Sequence, residues 1–200
     1  MAKFLKLMTT ALPLRIDNVD TDQIIPARYL LMITKTGYGQ HLFNDWRYNE
    51  DGTKKANFVL NSRKYKSSEI LLAGENFGSG SSREHAVWAI TQYGFKAVIA
   101  PSFSDIFQNN AYGNGLLVFT LTKEVVTALM SAVENDPHTR FEIDLPNQTL
   151  KVHLEEIERF TFEINGFVKE KIQKGLDNIG YILEKEEKIK NFEQNQGKTR

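Results

Sequence analysis

Between Glu69 and Asn135 three short apolar runs alternate with three helical patterns, joined by connections too short for any other order of elements. Glu69–Ala73 (EILLA), Phe95–Ala100 (FKAVIA) and Leu116–Leu121 (LLVFTL) read as buried strands. Arg83–Tyr93 places Ala86, Ile90 and Tyr93 on one helical face and stops at Gly94. A second helix is predicted from about Phe103 to Tyr112, with Ser102 and Asp105 placed like its start. Thr122 caps a third, in which Val125, Val126, Leu129, Met130 and Val133 share a face. Strands that alternate with helices across short links must run parallel, so the expected fold is α/β: a mostly parallel sheet flanked by helices.

Residues 2–8 form a candidate first strand. RIDNVDTDQIIPARYL reads as a loop followed by a short helix or turn, and Leu31–Lys66 as a long aperiodic excursion. After Arg140 the pattern turns to FEIDL, QTLKVHL and FTFEI around turn residues, which predicts a C-terminal antiparallel element. A terminal helix begins near Val168 and grades into charge. Residues 1–184 are therefore expected to be one domain and 185–200 a solvated tail.

The chemistry is concentrated in Glu75-Asn76-Phe77-Gly78-Ser79-Gly80-Ser81-Ser82-Arg83-Glu84-His85, between a parallel strand and a helix. Helix amides at such a strand end, with the helix dipole, attract anions, and an arginine fork there suits a carboxylate or phosphate. Gly78-x-Gly80 lacks the third glycine of a dinucleotide fingerprint, and no GK[ST] follows for a phosphate loop. Ser81-x-x-Glu84 equally fits a capping box, with Ser82 as the other candidate cap. His85, beside Ala86 and Trp88, reads as a structural residue. Asp20, Thr21 and Asp22 either shape the cleft or make local turns.

Composition removes other classes of function. There are 25 basic and 25 acidic residues, which disfavours nucleic acid or a membrane surface as partner. There is no cysteine, hence no thiolate nucleophile, disulfide or cysteine-held metal on this chain, and the four histidines are widely spaced. No apolar run approaches the roughly 20 residues that span a bilayer. A cytoplasmic protein is expected.

The segment GSGSSREHAVWAITQYGFKAVIAPSFSDIFQNNAYGNGLL resembles the swivelling domain of the aconitase superfamily. NVDTDQIIPARYL, GYGQHLFNDWRY and GLDNIGYIL resemble its isopropylmalate dehydratase small-subunit branch, in the same order from about residue 3 to 184. Ala111 stands where many relatives have cysteine. The resemblance implies a hydro-lyase of leucine biosynthesis that moves a hydroxyl between adjacent carbons of a small dicarboxylate by dehydration and rehydration. It implies a [4Fe–4S] cluster on a separate large subunit. It implies Ser81 as the catalytic base, with Ser82, Arg83, Gly80, Arg28 and Leu31 binding substrate, and Leu30–Ile33 as apolar surface for an isopropyl group. Dehydratases of methylmalate/citraconate or homoaconitate share nearly the same motifs, and a non-catalytic anion-binding module is the alternative from another class.

Overall fold

The computed structural model describes residues 3–31, 35–80, 83–187, 190, 192 and 193. Ser81, Ser82, Met32, Ile33 and most of the tail beyond residue 187 lie outside the described residues.

In chain order the strands are β1 (Lys6–Thr9), β2 (Ala11–Leu14), β3 (Ile70–Ala73), β4 (Ala97–Ala100), β5 (Leu117–Thr120), β6 (Arg140–Asp144), β7 (Thr149–His153) and β8 (Ile157–Thr161). The helices are α1 (Thr21–Ile24), α2 (Asn44–Arg47), α3 (Glu84–Tyr93), α4 (Asp105–Gly113), α5 (Lys123–Asn135), α6 (Gly166–Lys174) and α7 (Asn178–Glu184). They build two four-stranded sheets. One is parallel, in the order β2-β3-β4-β5; the other is antiparallel, in the order β1-β6-β7-β8.

The parallel sheet is the one the alternating pattern predicts. Its strands are buried along nearly their whole length, as continuous apolar runs demand when both faces are covered. Helix α5 packs across β2, β3 and β4, with Val126, Leu129, Met130 and Val133 buried, and the Thr122 side chain accepts from the Val125 amide. The expected antiparallel element is present as well, as a sheet of equal strand number. The first strand expected over residues 2–8 is β1, and it pairs with β6 of the antiparallel sheet through Leu7↔Ile143. The strand not foreseen is β2, which follows after Thr10 and joins the parallel sheet through Leu12↔Leu71. Pro13 within β2 obscures that strand in the sequence. It is tolerated because β2 is an edge with β3 as its one ladder neighbour.

The Leu31–Lys66 excursion folds as short helical turns and contributes Tyr38, Leu42, Phe43 and Leu60 to the core. Arg47 is buried there. Its guanidinium donates to the carbonyls of Gln40 (3.2 Å) and Leu42 (3.1 Å), which replaces the water it has lost. The two sheets meet where Phe119 of β5 stacks on Phe162, with ring centres 3.9 Å apart.

Candidate active site

Because β2, β3 and β4 run parallel, their carboxyl ends bring three segments together: 15–20, 74–80 and 101–104. Backbone hydrogen bonds extend the sheet into these loops. The Asn18 amide donates to the Glu75 carbonyl (2.8 Å), both the Gly78 and Ser79 amides donate to the Val19 carbonyl, and Thr21 donates to Ser79 (2.9 Å). On the other side Phe77 donates to Ser102, and Ser104 to Phe77, both at 3.1 Å. The Asp17 carboxylate accepts from the Glu75 amide and the Ser102 hydroxyl from the Asn76 amide, each at 2.8 Å. Ser102 thus belongs to this clasp, and α4 starts instead after Ser104, which lends no side-chain cap.

The amides of residues 75–79 are all committed to neighbouring segments. Close approach also explains the glycines. A Cβ at Gly78, whose φ is +79°, would fall 2.2 Å from the Phe107 ring, and one at Gly74 would fall 2.4 Å from the Ile16 carbonyl oxygen. Asn18 and Asn76 also adopt left-handed backbone, and the Asn76 side-chain amide donates to Asn18 Oδ1 at 3.0 Å.

The turn leads into α3, whose N-cap is Arg83 in extended conformation (φ −97°, ψ 104°). Glu84 is therefore the first helical residue; Ser81, the other half of the predicted capping box, lies outside the described residues. The Glu84 carboxylate accepts from Asn114 Nδ2 at 2.8 Å. A capping box forms at α1, where Asp20 accepts from the Gln23 amide and Gln23 accepts from the Asp20 amide, both at 2.9 Å. Asp22 faces the site instead: the Arg83 guanidinium forms an ion pair with its carboxylate. Gly80 lies against the same segment, its absent Cβ 3.3 Å from Thr21 Oγ1. His85 packs edge-on to Trp88 and Tyr38, at 4.7 and 5.3 Å between ring centres, as a structural histidine does.

Gly80 and Arg83 thus meet at one place with Thr21 and Asp22. Arg28 is anchored elsewhere. It sits on a helical turn after Pro26, over the Tyr29 ring, and both its terminal nitrogens reach the Asp45 carboxylate, Nη1 at 3.0 Å. This pair holds the Asp45 carboxyl below its ordinary range. Tyr29 stacks on His41 (3.8 Å), whose protonation burial disfavours. These four residues line an open hollow of about 910 Å³ that neither Gly80 nor Arg83 reaches. Leu31 projects into solvent at 88% exposure, while Leu30 packs against the core. Asp22 was an open candidate in the sequence; Asp45 carried no signal beyond its place in NDWRY.

An arginine at a helix start, beyond the carboxyl edge of a parallel sheet that shares its core with an antiparallel one, belongs to an α/β domain. The aconitase C-terminal domain model matches residues 1–124. The 3-isopropylmalate dehydratase small subunit of Azobacteroides pseudotrichonymphae is 46% identical over 98% of this chain and 98% of its own. That of Karelsulcia muelleri is 48% identical over 96% and 97%. A crystal structure of 3-isopropylmalate dehydratase from Methanocaldococcus jannaschii superposes with a TM-score of 0.64, at 29% identity over 94% of this chain and 99% of that one. The chain belongs to the aconitase C-terminal domain family, in the branch of the 3-isopropylmalate dehydratase small subunits.

Proposed function

We propose that this chain is the small subunit of a 3-isopropylmalate dehydratase, interconverting 2- and 3-isopropylmalate through the unsaturated diacid. The carrying observation is identity of 46–48% along nearly the whole length of relatives bearing that name. The clasped loop supports it, since it presents an arginine at a helix start to a carboxylate.

The [4Fe–4S] cluster that the family implies does not fit this chain. The sequence has no cysteine, and among the described residues no three His, Asp or Glu side chains converge. We assign it to a large subunit, where it supplies the Lewis acid that helps hydroxide leave. This chain supplies the other half of the chemistry. Ser81 takes the proton from the carbon beside a carboxylate, and in the reverse direction returns it. A serine alkoxide needs strong stabilisation, which the start of α3 and the Arg83 charge provide. Arg83 and Ser82 hold a substrate carboxylate, for which Arg83 must exchange its bond to Asp22. Gly80 lets the backbone approach, and Arg28 and Leu31 complete the binding surface. Among the described residues no helix is long and apolar enough to cross a membrane. We place the complex in the cytoplasm, with residues 1–184 as one domain and no nucleic-acid partner.

Mixing the chain with its large subunit under anaerobic conditions tests this. Isomerisation of 2-isopropylmalate is expected from the mixture and from neither chain alone. Activity of this chain alone, or faster turnover of methylmalate or homoaconitate, overturns the reading. Ser81→Ala is expected to lower kcat by about 10²-fold or more while the subunits still co-elute; near-normal turnover removes Ser81 from the chemistry.

A further inference from the structure

We infer that Asn114 is a positioning residue for this reaction, acting through Glu84 to fix the first turn of α3 beside Arg83. The inference rests on the function proposed above. Asn114 ends α4, in the turn Gly113-Asn114-Gly115, which no role above accounts for.

Its side chain makes three hydrogen bonds, with both N–H donors used. Nδ2 donates to Glu84 Oε1 (2.8 Å) and to the Asn110 carbonyl (2.9 Å), and Oδ1 accepts from Trp88 Nε1 (2.9 Å). One amide thus ties α4 to two consecutive turns of α3, at Glu84 and at Trp88. The need for an external tie is visible at the start of the helix. Arg83 is the N-cap and lends no side-chain bond to the helix, while its carbonyl accepts from the Ala86 amide at 3.2 Å. The cap residue therefore acts on this turn from outside the helix, through the ion pair of its guanidinium with Asp22, and Asn114 supplies a second external tie. At the far end of α3 the same job is done by Gln92, which accepts from the Tyr38 amide (2.8 Å) and donates to the Lys35 carbonyl (2.7 Å). The helix is pinned at both ends by side-chain amides, and the pin at the reactive end is Asn114.

Glu84 is adjacent in the chain to Arg83, so a turn that slips at Glu84 carries the Arg83 backbone and the helix-start amides with it. Misplacement of a reacting group by about 1 Å can cost about 10²-fold in rate without disturbing the fold. Glu84 is itself exposed, so it contributes to the site through this bond more than through packing.

The test is a double-substitution cycle in the assembled two-subunit enzyme. Asn114→Ala and Glu84→Ala are each expected to lower kcat/KM about tenfold to a hundredfold, while the subunits co-elute as before. The double variant is expected to be no worse than the poorer single one, since both remove the same bond. Glu84→Gln keeps a carbonyl acceptor for Nδ2 and is expected to stay within about threefold of the unsubstituted enzyme. Additive losses, or normal turnover by Glu84→Ala, overturn the proposal; the second variant lies at the exposed end of the bond and is informative even if Asn114→Ala folds poorly. Rates are taken relative to the unsubstituted complex on whichever of the three diacids it turns over best. A wrong substrate assignment then shows in the reference, and a wrong role for Asn114 only in the variants.

Discussion

The two sheets have four strands each and share one core, yet they are built on opposite terms. Strands of the parallel sheet are apolar throughout, and their polar business begins only where they end, in the clasped loops that carry Gly80 and Arg83. The antiparallel sheet alternates. Phe141, Ile143, Leu150 and Val152 are buried, while Glu142 lies between Lys151 (2.9 Å) and His153 (3.8 Å), and Lys6 reaches Asp144 (2.8 Å). A sheet covered on both faces can present chemistry only at its ends, whereas one with a wet face spreads its charges along its length. The first arrangement concentrates a site; the second makes a support.

Substitutions that treat the sheets alike should expose this difference. The largest effect is expected in the parallel sheet: Ile99→Ala, at a position with no exposure, is expected to lose about 2–5 kcal/mol in urea unfolding. Ile157→Ala on β8, 54% exposed, is its counterpart and is expected to lose well under about 1 kcal/mol. Equal losses would erase the contrast. Next comes the junction between strand and site. Gly78→Ala forces a methyl group into Phe107 at a left-handed position, and is expected to cost about 1–3 kcal/mol of stability and most of the turnover.

The third test is acid. Asp144 is held down to about 2, first by its bond to Lys6 and then by the Asn147 amide, against an ordinary value of 3.8. A carboxyl depressed in the folded chain stabilises it above the ordinary value, and that contribution fades as pH falls through about 2. Glu142, beside Lys151, is depressed in the same sense. The antiparallel sheet is therefore expected to lose hydrogen-exchange protection before the parallel one between about pH 4 and pH 2, and Asp144→Asn to reduce that difference. The smallest effect belongs to Lys96→Ala, which breaks a solvent-facing bond to Glu69 (2.6 Å) at the amino ends of β4 and β3. It is expected to shift stability by about 0–1 kcal/mol.

What could be read from the sequence follows from how local each determinant is. The strands β3, β4 and β5 and the helices α3 and α5 are legible because burial on both faces, or on one stripe, writes itself into consecutive residues. The antiparallel strands after Arg140 are legible for the same reason at period two. β2 is not, because Pro13 interrupts its pattern, its partner β3 lies far along the chain, and a single residue, Thr10, separates it from a strand of the other sheet. The Gly/Ser/Arg turn stands out through its own composition. The carboxylates that receive its arginines do not: Asp22 lies 61 residues from Arg83, and Asp45 lies 17 from Arg28 across an aperiodic stretch. Such pairs exist only once the chain has closed on itself.

Pro13 has a further consequence. An unpaired strand border invites strangers to add to it. At the β2 border the proline ring removes one donor from the backbone, and the turn at Val59–Asn61 lies against the same strand. The residue that hides β2 from a reader of the sequence also makes that border a poorer template for a strand of another copy.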